Sequence, residues 1–141
     1  MSTLQSIYNW QATARPEPTQ RDLGTALGCH FEEFAELTES LMLSRKGSYL
    51  LSAIQDYATA LKLGEESVVI KDREGFLDAI ADQIVTGVGV GYCAGMKVLS
   101  AVTEVDKSNW SKTECGKFLR DENGKITKGK DYRKPDLKGM F

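Results

Sequence analysis

The sequence predicts an all-α protein, a four-helix bundle followed by a short C-terminal β-hairpin and an irregular tail. Apolar residues recur at helical spacing through most of residues 1–103, between residues that favour helix starts and ends. From Ser108 this periodicity stops, and Asn123-Gly124, a pair typical of two-residue hairpin turns, follows. A chain of 141 residues is long enough to bury a core. We therefore expect a single domain over 1–141, with the bundle in 1–103 and a basic tail in 104–141.

The first half of the chain predicts two helices. The first covers Leu4 to Ala14 and ends before Pro16, because a residue that precedes proline avoids helical geometry. The second is capped by Thr19 or Asp22 and extends to about Leu43. The apolar stripe expected to face the core of this second helix consists of Leu23, Leu27, Phe31, Phe34, Leu37 and Leu41.

Two further helices are predicted before the tail. Arg45-Lys-Gly-Ser is typical of a basic helix end, a glycine stop and a new cap, so the third helix should cover Tyr49 to Leu63 and end at Gly64. The residues expected on its apolar face are Leu50, Ile54, Tyr57 and Leu61. Asp72 can cap the fourth helix, which continues, with or without a break, to about Val102.

The fourth helix contains glycines at every fourth position, Gly87, Gly91 and Gly95. Each helical glycine costs about 1 kcal/mol relative to alanine. We therefore expect the strip to serve close packing, either within the bundle or between subunits.

Composition and charge limit the classes of function. The net charge of -2 argues against a general nucleic-acid binder, although lysine and arginine dominate residues 107–138. That basic segment is either a solvated terminus or the part of a site that holds phosphates.

The longest uncharged stretch, Gln83 to Met96, is interrupted by glycines and is shorter than the roughly 20 apolar residues that span a bilayer. The N-terminus lacks the pattern of a secretory signal, and Cys29, Cys93 and Cys115 suit a reducing environment, so we expect a soluble cytoplasmic protein with no membrane or nucleic-acid partner.

Two acidic clusters at helical spacing suggest a metal site. Glu32, Glu33 and Glu36 lie on the second helix, and Asp78 and Asp82 lie on the fourth. Like charges three or four residues apart repel each other, and two such faces brought together would require a cation between them. Ligand sets made only of oxygen suit Mg²⁺ or Mn²⁺, and Mg²⁺ suggests a phosphate-bearing substrate. The alternative is that these are solvated helix faces.

Other catalytic chemistries find less support. His30 is the only histidine, whereas a ferritin-like di-iron bundle takes one from each of two helices. The chain lacks a glycine-rich phosphate loop and a dinucleotide fingerprint. Cys29 and His30 occupy consecutive helical positions, which points away from a cysteine nucleophile with a histidine base. If the protein is an enzyme, metal-assisted attack by water is the simplest remaining mechanism.

The acidic motifs resemble those of the all-α nucleoside triphosphate pyrophosphohydrolases of the MazG-like superfamily. The tail motifs Asn109-x-Ser111-Lys112 and Lys128-Gly-x-x-Tyr132-x-x-Pro-Asp-Leu are similar to the ending of a branch found in bacteria and phages. The resemblance extends from about Ile7 to Leu137. It departs at Ala79, where many members have a glutamate three residues before the last aspartate, and Asp78 could supply that oxygen instead.

The resemblance implies a MazG-like fold and Mg²⁺-dependent hydrolysis of a (deoxy)nucleoside triphosphate to the monophosphate and pyrophosphate. It implies Glu33, Glu36 and Asp82 as metal ligands, with Glu32 and Asp78 as further ligands or as base and orienter of the attacking water. Lys112 and Lys128 would offset charge on the leaving pyrophosphate, while Asn109 and Tyr132 would contact the substrate or order the tail. A homodimer or homotetramer in a bacterial or phage-infected cytoplasm is also implied. A relative narrowly specific for dUTP or phosphoribosyl-ATP, and a non-catalytic helical binding module, remain open.

Overall fold

The protein is mostly helical, and the all-α class predicted from its sequence is confirmed. A computed structural model describes residues 1–122 and 124–141. In this part of the chain five helices are followed by one two-stranded antiparallel sheet: α1 (Thr3–Ala14), α2 (Gln20–Glu39), α3 (Arg45–Leu63), α4 (Arg73–Cys93), α5 (Val98–Trp110), β1 (Thr113–Glu114) and β2 (Lys117–Phe118). None of the described helices has the length and apolar character needed to cross a membrane.

These elements form two compact units. Unit 1 consists of Met1–Pro16, Ile70–Asp121 and Ile126–Phe141, and unit 2 consists of Glu17–Val69 and Glu122–Lys125. Unit 1 therefore contains α1, α4, α5 and the sheet, whereas unit 2 contains the α2–α3 pair.

Local capping decides where the helices of unit 2 begin and end. Thr19 caps α2 and forms a reciprocal capping box with Asp22, so both predicted cap candidates participate. The helix ends at Glu39, and the predicted extension to Leu43 is wrong. Ser44 instead caps α3 by accepting from the Gly47 N–H at 3.3 Å, so the basic residues that follow begin a helix instead of ending one.

Small residues form the contact between α2 and α3. A Cβ atom on Gly28 would lie 2.8 Å from the Ala58 carbonyl oxygen and 3.1 Å from the backbone nitrogen of Lys62. Only glycine therefore permits this close approach of the two backbones. Ala35 and Ala58 are buried nearby along the same helix pair, and Leu61 is fully buried. The close approach explains why the buried residues of α2 at this seam are small.

The predicted apolar stripe of α2 is wrong in its second half. Phe34, Leu37 and Leu41 are between 48% and 61% exposed, while Gly24, Thr25, Gly28, Ala35 and Thr38 are buried. The prediction relied on the spacing of large apolar side chains. The helix instead packs through a face of small residues, because that face lets its backbone approach α3 most closely. In α3 the prediction succeeds for Leu61, but Leu50 and Tyr57 are exposed.

The core of unit 1 forms where α1 meets the end of α5 and the hairpin. The Trp10 indole N–H donates to the Asn109 carbonyl oxygen at 2.9 Å, and the Trp110 indole N–H donates to the Ser6 hydroxyl at 3.1 Å. The Phe118 ring packs edge-on against Trp10, with centroids 5.3 Å apart. These contacts fix the C-terminal end of α5 and the start of the tail against α1.

A glycine corner separates α4 from α5. Gly95 has a φ of 74° just beyond the end of α4, and the Met96 N–H donates back to the Gly91 carbonyl oxygen at 2.9 Å, which is a Schellman ending. The break, which the sequence left open, therefore exists, and helical structure then continues to Trp110, past the predicted end at about Val102 and past Ser108. The three glycines do not form one helical strip. Gly91 alone meets a close neighbour among the described residues, Val98 on α5, whose Cβ lies 2.8 Å from the Cβ position that alanine would add.

The hairpin lies earlier than predicted. Its turn is Cys115-Gly116, with φ angles of 49° and 74°, and Thr113 pairs with Phe118. Asn123, the first residue of the predicted turn, lies outside the described residues. An isolated antiparallel bridge joins Arg120 to Ile126, one on each side of the predicted turn.

The tail follows α5 in the reverse direction. The Ser108 hydroxyl donates to the Arg133 carbonyl oxygen at 2.7 Å, and the Asp136 N–H lies 3.4 Å from a Glu104 carboxylate oxygen. Near the start of α5, the Lys97 N–H donates to the Met140 carbonyl oxygen at 2.8 Å. The irregular tail is thus held along α5 by hydrogen bonds that its own backbone groups form with residues at and near this helix.

Candidate functional site

Glu32 is held by two lysines within unit 2. Its Oε1 accepts from the Lys62 ammonium at 2.6 Å, and its Oε2 lies 3.4 Å from the Lys125 ammonium. Burial raises the pKa of this carboxyl, but the hydrogen bond from Lys62 and the charges of both lysines outweigh that effect, so the pKa lies below its ordinary value. Glu32 is therefore anionic at neutral pH, with both oxygens engaged.

The position of Glu32 follows from the α2–α3 seam. Gly28 packs against Lys62, and Glu32 lies one turn further along the same face of α2. A residue at that position projects toward α3, whereas the apolar stripe assumed from the sequence would place it on the opposite side. Sequence reasoning missed Lys62 and Lys125, because nothing in local spacing links residues 32, 62 and 125.

The other two carboxylates of the predicted acidic cluster on α2 are exposed. Glu33 and Glu36 both lie at the helix surface. For Glu36, the described residues provide no hydrogen bond or ion pair to the carboxylate. The Glu36 carboxylate thus remains accessible to a ligand, while Glu32 is engaged with protein partners.

Asp78 and Asp82 project from α4 in unit 1. Both are exposed, and within the described chain neither carboxylate has a hydrogen-bond or ion-pair partner. Their i, i+4 spacing places them on one helix face, as predicted. Ala79, the departure from the family motif, lies between them and is also exposed.

The candidate metal site combines oxygen donors from two helices, Glu33 and Glu36 on α2 and Asp78 and Asp82 on α4. Its ligands are carboxylate oxygens, which are the donors that Mg²⁺ prefers in proteins. Among residues 1–122 and 124–141, no three His, Cys, Asp or Glu side chains form a group that could hold a metal ion. The donor chemistry suits Mg²⁺, and the ligand set predicted from the sequence stays a prediction.

Asn109 and Lys112 meet at the buried Trp10. The Asn109 carbonyl oxygen accepts the indole N–H, and the Lys112 ammonium lies 6.0 Å from the centre of the indole ring. The Lys112 N–H also donates to the Asn109 carbonyl oxygen at 3.1 Å. The structure therefore brings together two of the residues that the tail motif singled out, at the C-terminal end of α5.

Lys128 and Tyr132 form a second pair in the tail. The Lys128 ammonium lies 4.9 Å from the centre of the Tyr132 ring, a cation–π distance. The backbone between them is fixed because the Lys130 N–H donates to the carboxylate of Glu114 on β1. A side chain on Gly129 would collide with the same carboxylate, with its Cβ 2.5 Å from the Glu114 Cγ, which gives the glycine of this motif a local structural reason.

Two features of α5 escaped the sequence predictions. The hydroxyls of Ser108 and Ser111 hold the backbone of Arg133, and their i, i+3 spacing is the only signal that could have suggested a shared partner. Asp106 is 7% exposed, and its Oδ1 has no hydrogen-bond partner in the described part of the chain. A buried carboxylate oxygen without a hydrogen-bond partner is costly, so its presence requires a reason.

Comparisons of the chain with protein families, with curated proteins and with solved structures find no match.

Proposed function

We propose that this protein is a Mg²⁺-dependent pyrophosphohydrolase that converts a (deoxy)nucleoside triphosphate and water to the monophosphate and pyrophosphate. The proposal rests on three features that occur together in this chain. They are the glutamates of α2, the aspartate pair of α4, and the tail motif that contains Asn109, Lys112, Lys128 and Tyr132. This combination resembles the MazG-like pyrophosphohydrolases, and the proposal extends to their four-helix fold. The mostly helical chain, with a hairpin and basic tail after the helices, supports the activity, while five helices occur where the sequence predicted four because Gly95 separates α4 from α5.

Each candidate residue has a distinct role in the proposal. Glu33, Glu36 and Asp82 are the metal ligands, with Asp78 as a further ligand, because their oxygens suit Mg²⁺. The bound ion would supply charge neutralisation of the triphosphate and a more acidic water. Glu32 is a further ligand or the base or orienter of the attacking water, and its two lysines keep it anionic and fixed.

The tail residues are assigned to the phosphates. Lys112 and Lys128 offset negative charge on the leaving pyrophosphate, which is worth most where the geometry is fixed beforehand. Support comes from the hydrogen bonds around them, since Asn109 is held by Trp10 and the segment between Lys128 and Tyr132 is held by Glu114. Asn109 and Tyr132 then contact the substrate or order this segment.

We also propose that the protein is a homo-oligomer that uses α4 as an interface. None of the 21 residues of α4, all of which the structure describes, is buried. Leu77 and Tyr92 are 69% and 81% exposed, and Ile80, Ile84 and Val88 lie between them on the same side of the helix. A continuous apolar stripe of this kind is unfavourable in water, and a second copy of the chain would cover it.

A substrate panel tests the activity. The eight common ribo- and deoxyribonucleoside triphosphates, with dUTP and phosphoribosyl-ATP, are incubated with the protein and Mg²⁺, and the products are separated by anion-exchange chromatography. We expect monophosphate and pyrophosphate in equal amounts, and loss of both with EDTA. Turnover of dUTP or phosphoribosyl-ATP alone would assign the narrow-substrate alternative. No turnover of any compound, together with no rise of Tm on Mg²⁺ addition, would favour the non-catalytic binding module.

A further inference from the structure

A cleft in unit 1 lies between α5, the β1–β2 turn and the tail. It encloses about 610 Å³, which falls within the range of small-molecule sites. Its basic residues are Lys107, Arg133 and Lys134, and its acidic residues are Glu104 and Asp131. None of the candidate metal ligands or phosphate-contacting residues described above lines it.

The backbone of Arg133 is held at both of its polar groups. The Arg133 N–H donates to the Ser111 hydroxyl at 2.8 Å, and its carbonyl oxygen accepts from the Ser108 hydroxyl at 2.7 Å. Ser108 is buried, and the Ser111 hydroxyl in turn donates to the Ser108 carbonyl oxygen at 2.7 Å. This network anchors the tail to α5 at the residue that carries the guanidinium, so little backbone ordering is left to occur when a ligand binds.

The charges in the cleft are unevenly compensated. Glu104 is engaged on both oxygens, with the Asp136 N–H at 3.4 Å and the Lys107 ammonium at 3.6 Å. Within the described residues, the Arg133 guanidinium and the Lys134 ammonium have neither a hydrogen bond nor an ion pair. Two cations therefore remain available against the single carboxylate of Asp131.

We propose that this cleft binds the phosphate groups of a small phosphorylated molecule, with Arg133 and Lys134 as the anion-binding residues. A guanidinium presents paired N–H donors that match phosphate oxygens, and an adjacent ammonium adds a second positive charge. Asp131 opposes the anion and limits its affinity. The site is independent of the proposed hydrolysis, because binding here requires neither the metal nor the α2 carboxylates.

Pyrophosphate binding without metal tests the site. Isothermal titration calorimetry with the full chain in EDTA should detect pyrophosphate binding that weakens as NaCl is raised. Arg133→Gln should weaken binding by about fivefold or more, the equivalent of one charged contact. Asp131→Asn should tighten it, by about twofold or more, because a like charge is removed.

Matched charge changes separate a specific site from a general effect of net charge. Lys46→Gln removes the same charge from α3 in unit 2, outside the cleft, and should leave the affinity unchanged. Equal weakening by Lys46→Gln and Arg133→Gln would overturn the proposal, as would unchanged binding in both Arg133→Gln and Asp131→Asn. Circular dichroism of each variant establishes that it is folded. Loss of pyrophosphate binding in Arg133→Gln with triphosphate hydrolysis retained would support this site, whereas absent hydrolysis with normal binding would count only against the proposed function.

Discussion

Glu32 on α2 and Lys62 on α3 are joined by a charged hydrogen bond of 2.6 Å between Oε1 and Nζ. Lys125 approaches the other carboxylate oxygen at 3.4 Å. One residue of the predicted acidic site thus connects three segments of unit 2. Its lowered pKa gives the pair a measurable signature in the pH dependence of stability.

The first prediction concerns this signature. Because the pKa of Glu32 in the folded protein is below the ordinary value of 4.5, its contribution to stability is complete above that value and is lost as pH falls through the folded pKa. Between about pH 7 and about pH 3, Glu32→Gln should lose less stability than the wild type, by about 1 kcal/mol or less because the pair is partly exposed. Urea unfolding at each pH measures the difference, with exposed Glu39→Gln as the control. Identical pH dependence in the wild type and in Glu32→Gln would contradict the ion pair.

The second prediction concerns the α2–α3 seam. Gly28→Ala should destabilise the protein by about 1–3 kcal/mol, since its new Cβ would lie 2.8 Å from the Ala58 carbonyl oxygen. Gly89→Ala is the matched control, because a Cβ there meets no described atom within 4 Å. That change should be neutral or stabilise the protein by up to about 1 kcal/mol through helix propensity. Denaturant unfolding of both variants checks the contrast, and equal effects would argue against the close backbone contact.

The third prediction concerns the proposed metal ligands. Glu36→Gln and Asp82→Asn should each abolish triphosphate turnover and leave the apo fold intact or slightly more stable, because each removes like-charge repulsion on its helix. Steady-state kinetics at limiting Mg²⁺ and thermal unfolding without metal provide the two readouts. Near wild-type turnover in either variant would remove that residue from the ligand set. Glu39→Gln, also on α2, is the control expected to retain activity.

The fourth prediction concerns the α4 interface. Ile84→Lys places a charge within the exposed apolar stripe and should shift the protein toward the monomer without unfolding α4, none of whose residues is buried. Sedimentation velocity at micromolar concentration measures the shift, and the exposed substitution Ser100→Lys on α5 provides a control of equal charge. A wild type that sediments as a monomer would reject the interface. Gly91→Leu should act differently, by overpacking against Val98 within the chain at a cost of about 1–3 kcal/mol.

The fifth prediction concerns the buried carboxylate of α5. Asp106→Asn removes a charge from a side chain that is 7% exposed and whose Oδ1 has no described partner, so it should stabilise the protein by about 1 kcal/mol or more. Thermal unfolding at neutral pH measures this effect, and Asp78→Asn on the exposed face of α4 is the control, expected to change stability by less than about 0.5 kcal/mol. A loss of stability in Asp106→Asn would indicate that the carboxylate has a partner in the folded protein.

Most helix boundaries followed from local chemistry. Gly64, Asp72 and the Thr19–Asp22 pair act at the ends where the sequence placed them, because capping depends on residues within one turn of a helix end. The same local signals were ambiguous at residues 40–48. A basic, glycine-containing stretch suits a helix end as well as a helix start, and the Ser44 cap decided between them.

The sequence by itself determined the all-α class, the acidic clusters on their helices and the motif residues of the tail. The tertiary structure decided which face of α2 packs, because glycine permits a backbone approach that hydrophobic periodicity does not register. It also decided that Glu32 pairs with Lys62 and Lys125, and that Ser108 and Ser111 hold Arg133, since these partners are far apart along the chain. Spacing within a helix fixes which side chains share a face, and only the packing of distant segments determines what that face contacts.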